Sequence, residues 1–149
     1  MATLSVQISE KLNINGTDRG NVTTVDISSV TQVVERVISV GTTELSILEF
    51  DGSSAAPSAG TLLDGSVQYL RITNTDSSGT CDLRVTDSAN NKEYIYTIGA
   101  GESYILFNDS MDANTGSSDL GGAKAMTNID VIKAKASTTL LLEVMAVAT

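Results

Sequence analysis

Apolar and polar residues alternate with a period of two along most of the chain. The clearest run is residues 67–107, VQYLRITNTDSSGTCDLRVTDSANNKEYIYTIGAGESYILF. Leu70 and Ile72 alternate with Arg71 and Thr73. Cys81, Leu83 and Val85 alternate with Asp82, Arg84 and Thr86. Tyr94, Tyr96 and Ile98 alternate with Glu93, Ile95 and Thr97, and Tyr104–Phe107 is apolar on both sides. Successive side chains of a strand point to opposite faces, so such runs predict strands with one face on a core and one in water. The connectors Asp76-Ser77-Ser78-Gly79, Ser88-Ala89-Asn90-Asn91 and Gly99-Ala100-Gly101 are turn formers. Strand, turn, strand, repeated, predicts an antiparallel meander over these 41 residues.

The same period continues on both sides. Leu4, Val6 and Ile8 alternate with Thr3, Ser5 and Gln7; Leu12 and Ile14 follow, and Asn15-Gly16 predicts a turn. Val22–Ile27 reads as a second strand. Val30–Val40 fits a helix by Val30, Val33, Val34, Val37 and Ile38, but its density of β-branched residues favours a strand. Glu44–Phe50 predicts a strand with Leu45 and Ile47 on one face and Leu48 and Phe50 on the other. Residues 51–66 read as a loop, and 108–126 as the longest polar stretch. Strands over 127–134 and 139–148 close the chain. The last is apolar on both faces through Leu140, Leu141, Leu142, Val144 and Val147. Such a strand is central between two layers or is covered by a partner subunit. Nine or ten strands without a helix predict an all-β fold: a two-layer β-sandwich, jelly-roll-like, with antiparallel strands. The expected organisation is one domain over residues 1–149, with residues 1–14 as an N-terminal pairing arm.

Composition narrows the function. Charged residues are only 18% of the chain and the net charge is −9. An acidic surface repels phosphate backbones, so no nucleic-acid partner is expected, and it keeps a sheet-rich chain soluble. There is no His and no Trp. Without His the commonest general base and transition-metal ligand is missing. The lone Cys81 has no partner for an internal disulfide and falls in phase with Leu83 and Val85, which predicts a small buried side chain. No basic segment followed by a long apolar run opens the chain, and no run is long enough to span a bilayer, so neither a signal peptide nor a membrane partner is expected.

Candidate chemistry is sparse. The lysines Lys11, Lys92, Lys124, Lys133 and Lys135 lie in polar or alternating contexts and read as solvated ammonium groups. Asp109, Asp112 and Asp119 share the polar stretch and are carboxylates of the kind calcium uses, but their spacing matches no calcium loop. The Gly99–Gly101 turn lacks the helix and lysine of a phosphate cradle and reads as a hairpin turn. Tyr94 and Tyr96 share the face of Ile98, which predicts a core or half-buried setting. Tyr69, beside Arg71 and Thr73, is the better candidate for an exposed contact. No catalytic residue, metal site or cofactor is expected.

The segments YLRITNTD (Tyr69–Asp76) and IGAGESYIL (Ile98–Leu106), with VVERVISVGTTELSILEF (Val33–Phe50) and the acidic SMDA stretch (Ser110–Ala113), carry a resemblance. Over about residues 4–148 the chain resembles small virion proteins of tailed bacteriophages, especially the capsid decoration, or cement, proteins of marine and cyanobacterial phages. The resemblance implies a non-enzymatic β-sandwich made in the host bacterial cytoplasm. It further implies a homo-oligomer, a trimer, that binds the major capsid protein on the outside of the shell and stabilises it. From the pairing arm, the exposed-contact candidate Tyr69 with neighbouring Arg71, and the doubly apolar last strand, the contact residues expected are Leu4, Val6, Ile8, Tyr69, Arg71, Leu141 and Met145. The competing expectations are a tail, fibre or adaptor subunit of the virion, and an adhesin-like β-sandwich that binds a host surface glycan.

Overall fold

A computed structural model shows an all-β protein. The structure describes residues 2–51, 61–63, 65–87, 92–107 and 129–149. Among them the strands are β1 (Ala2–Ser9), β2 (Asn13–Ile14), β3 (Thr17–Asp18), β4 (Val22–Val30), β5 (Gln32–Val40), β6 (Leu45–Asp51) and β7 (Thr61–Leu63). Then come β8 (Val67–Asn74), β9 (Cys81–Asp87), β10 (Lys92–Ile98), β11 (Ser103–Phe107), β12 (Val131–Ala136) and β13 (Leu140–Ala148). The expected turn Ser88–Asn91 and the polar stretch 108–126, with Asp109, Asp112 and Asp119, lie outside the described residues.

Two sheets make the body. One has the order β11-β8-β13-β5, the other β10-β9-β12-β6-β7. Pairing is antiparallel except between β6 and β7. The alternation read from the sequence places one face of each strand in a common core. Val40, Ile72, Leu142 and Val144 come from the first sheet; Ile47, Leu83, Val85, Ile132 and Ala134 come from the second. Burial of each Val, Leu or Ile side chain among them contributes about 1.5–3 kcal/mol. Cys81 belongs to this core and is fully buried, in phase with Leu83 and Val85.

The expected meander over 67–107 is corrected. Only β9 and β10 form a hairpin; β8 pairs with β11 and β13, and the joins β8–β9 and β10–β11 cross between the sheets. A half-apolar strand satisfies its inner face in either layer, so alternation does not say which layer it joins. The two crossing turns are locked together by Asn74, which is fully buried. Its side-chain amide donates to the Gly79 carbonyl (3.2 Å) and its Oδ1 accepts from the Asp76 amide (3.2 Å). Its backbone N–H donates to the Glu102 carbonyl, and its carbonyl accepts from the Gly101 amide, both at 3.0 Å. Gly79 has φ +88°, and a Cβ there would lie 3.1 Å from Thr138 Cγ2, so the corner needs glycine twice over.

Three further expectations change. Residues 51–66 are not wholly loop, because Thr61–Leu63 adds a short parallel strand that buries Leu62. Ile47 and Leu48 do not face opposite sides of the sheet. A bulge opposite Ile132 and Lys133 adds one residue to β6, so both enter the same core. Of Val30–Val40, residues 32–40 form β5 as expected, while Val30 ends β4.

The N-terminal segment is half of a hairpin. β1 pairs with β4 from Ala2–Val30 to Ser9–Val22, and β2–β3 carry the end of the hairpin. Asn15 (φ 52°) and Gly16 (φ 81°) make its predicted turn, both in the left-handed conformation of a tight hairpin.

Candidate functional site

The feature that stands out is the outer face of the sheet β11-β8-β13-β5. Register places its outward side chains in rows across the strands. Phe107, Tyr69, Val147 and Val33 form one row; Ile105, Arg71, Met145 and Glu35 the next; Ser103, Thr73, Glu143 and Val37 the third. The first row is wholly apolar. An outer sheet face normally alternates polar residues into water, so this one is built to be covered.

Part of the cover is the chain's own hairpin. Opposed residues of a strand pair project to the same side, so Leu4 with Ile27, Val6 with Val25, and Ile8 with Thr23 share one face. Leu4, Val6, Ile27 and Val30 pack on Tyr69, Phe107, Met145 and Val147. A bulge between Ile27 and Val30, with Ser29 at φ 60°, brings both residues to the sheet although they are three apart. Tyr69 is only 5% exposed and tilts against Phe107 (centroids 5.3 Å, 59°). Burial raises its pKa above 10.0, opposed by the nearby Arg71. Arg71 pairs with Glu143 across the strands, and Thr73 Oγ1 bonds Ser103 Oγ at 2.8 Å.

Beyond the hairpin the face is open and mixed, with exposed Val33, Val37 and Leu141 interleaved with Glu35 and Ser39. Val33 is 55% exposed, Val37 63% and Leu141 45%. The hairpin also runs on past its seat: Val25 is 40% exposed and Ile8 38%, and Leu12, Ile14 and Val22 are exposed as well.

The residues singled out from the sequence divide accordingly. Leu4, Val6, Tyr69 and Met145 meet in one cluster, but within a single chain. Tyr69, expected at the surface, lies beneath the hairpin. Arg71 is engaged by Glu143, while Ile8 and Leu141 remain open to solvent. Sequence reasoning missed Ile27, Phe107 and Val147 under the hairpin, and Val33 and Val37 in the open strip. The signal for the last two was available: on β5 both alternating sets are rich in valine, so neither reads as a water face.

Other features have less to offer chemically. A cleft of about 620 Å³ lies between β4 and the body, lined by Val25, Asp26, Ile27, Gln68, Phe107 and Thr149 among others. Asp26 is the one ionisable side chain in its described lining. At the rim where β10 and β11 meet, the hydroxyls of Tyr94 and Tyr104 share a hydrogen bond of 2.6 Å, and Tyr96 tilts on Tyr104 (5.4 Å). Burial raises the pKa of Tyr94 and of Tyr104, so both phenols are neutral. Burial likewise pushes the Cys81 thiol up to about 11, away from the reactive thiolate. Among the described residues, no group of three or more His, Cys, Asp or Glu side chains could hold a metal ion, and no helix is long and apolar enough to cross a membrane.

Fold and site together define an all-β protein of layered antiparallel sheets, one of whose outer faces is partly covered by the chain's own hairpin. Comparison with family models, with curated proteins and with solved structures found no match.

Proposed function

We propose that this protein is a non-enzymatic structural subunit of a phage virion, one that decorates the outer surface of the capsid and braces neighbouring capsomers. The observation that carries the reading is the outer face of β11-β8-β13-β5, whose apolar row lies under a projecting hairpin and whose Val33, Val37 and Leu141 are open. A surface of that kind serves assembly, where flat sheet faces and strand edges meet copies of the same chain or a larger lattice. The body is read as a jelly-roll sandwich. With the three-residue β7 set aside, eight strands remain from β5 to β13, and they order as 6-3-8-1 in one layer and 5-4-7-2 in the other. This double wrapping is used by viral capsid and lectin domains alike. The partners in this reading are the major capsid protein and further copies of the chain, as a homotrimer on the capsid exterior.

The test is cryo-electron microscopy of intact particles. Density for this chain at repeated positions over the shell supports the reading. Density confined to the tail makes it a tail, fibre or adaptor subunit of the same build, and absence from particles ends it. A second reading, glycan binding, rests on Tyr96, which is 48% exposed and held by a tilted contact with Tyr104, leaving an aromatic surface that a sugar could meet. Retention on a glycan array, lost in Tyr96→Ala, would favour it.

A further inference from the structure

We infer that the outer half of the β1–β4 hairpin docks on the open strip of a second copy's four-stranded sheet, formed by Val33, Val37 and Leu141. The inference rests on the reading of the chain as an assembling subunit, but not on the presence of a shell.

Three observations carry it. The chemistry of the contact already exists inside one chain, where Leu4, Val6 and Ile27 of the hairpin sit on Tyr69, Met145 and Val147. The open strip continues that seat: Val33 is the cross-strand partner of buried Val147, and Val37 follows on the same face of β5, the edge strand of the sheet. The hairpin stripe likewise continues past its seat through Val25 and Ile8 to Leu12 and Ile14, all exposed. One apolar stripe therefore overhangs its own body, and Val33, Val37 and Leu141, interleaved with Glu35 and Ser39 on the matching sheet face, lack a cover among the described residues.

Charge points to a second copy as the occupant. The chain as a whole carries −9, so most approaches between copies are repulsive. The outer hairpin, residues 10–19, holds two acidic side chains (Glu10, Asp18) and two basic ones (Lys11, Arg19), a net charge of zero. It can approach another copy with little repulsion, and its cations stand ready for Glu35, which is exposed between Val33 and Val37. Hairpin on strip joins two different patches, one from each copy, so its repetition gives a ring where the rotation closes and an open filament where it does not.

The experiment uses the full chain in solution without capsids. Two double variants change only exposed positions: Ile8→Asp with Val25→Asp on the hairpin, and Val33→Asp with Val37→Asp on the strip. Circular dichroism checks the fold, and Val33→Thr with Val37→Thr replaces the second pair if the aspartates disturb β5. Light scattering over the micromolar range is expected to show an oligomer for the parent chain. Each double variant should dissociate at concentrations about tenfold higher or more. Mixed one to one, the two variants should form a heterodimer, because one intact hairpin and one intact strip remain between them. An oligomer that survives both variants overturns the inference while leaving the assembling-subunit reading in place. A parent chain that stays monomeric overturns both, unless it binds particles through the strip; in that case the strip's occupant is the shell and this inference alone is lost.

Discussion

The two outer faces of the body follow the same pleat and have opposite chemistry. On β10-β9-β12-β6 the outward residues form a charged lattice. Arg84 meets both carboxylate oxygens of Glu93 at 2.8 Å and Glu44 at 3.0 Å, Lys133 reaches Glu44 at 3.6 Å, and Thr97 donates to Asp82 at 2.7 Å. On β11-β8-β13-β5 one row is wholly apolar (Phe107, Tyr69, Val147 and Val33), and the next rows mix Ile105, Met145 and Val37 with Glu35, Thr73, Ser103 and the ion pair Arg71–Glu143. The first face is largely matched to itself and to water through these ion pairs, with Ile95 (54% exposed) an apolar exception. On the second, apolar residues are covered only where the hairpin lies. Which face a partner would meet is therefore written in the local chemistry: solvated ion pairs add little to stability or to docking, whereas open apolar surface gains from any cover.

The comparison can be broken most sharply beneath the hairpin. Tyr69→Ala removes the ring that Phe107 and the hairpin pack against and is expected to cost about 3–5 kcal/mol in denaturant unfolding. A cost near zero would mean that the hairpin contributes no packing to the body. Next in size is the rim between the sheets. Burial raises the pKa of both Tyr94 and Tyr104 above 10.0, so the folded state holds phenols that the unfolded chain would ionise. Their contribution is complete below pH 10 and declines as pH rises beyond it. The slope is up to about 1.4 kcal/mol per pH unit for each group. Unfolding followed from pH 9 to 11 should show this decline on top of that from Cys81, whose thiol is pushed up to about 11 by burial, and Tyr94→Phe with Tyr104→Phe should remove only the part that sets in above pH 10. On the open strip, Val37→Thr is expected to change the stability of the isolated chain by no more than about 0.5 kcal/mol. A larger loss would show that the strip is already covered. The smallest effect belongs to the charged face: Arg84→Ala should barely move the unfolding midpoint, and added salt should shrink the difference further. A large, salt-insensitive loss there would erase the distinction between the two faces.

Much of the fold was legible from local pattern. The alternation of Leu70 and Ile72 with Arg71 and Thr73, and of Cys81, Leu83 and Val85 with Asp82, Arg84 and Thr86, placed β8 and β9 and their core-facing sides correctly. Asn15-Gly16 marked its turn because few residue pairs accept two successive left-handed conformations. The site was less legible. Leu4, Val6, Tyr69 and Met145 were picked out as contact residues, yet nothing local says that they contact one another.

What the sequence by itself determined is most of the strands and the inner face of those that alternate cleanly, such as β8 and β9, since side-chain direction in an unbulged extended chain follows from a period of two and needs no knowledge of neighbours. What only the tertiary structure decided is pairing: β8 beside β11 and β13 rather than β9, and β1 and β4 folded back over Tyr69. Pairing joins residues as far apart as Tyr69 and Val147, and its outcome depends on which closure buries the most apolar surface over the whole chain. No window of a few residues contains that competition.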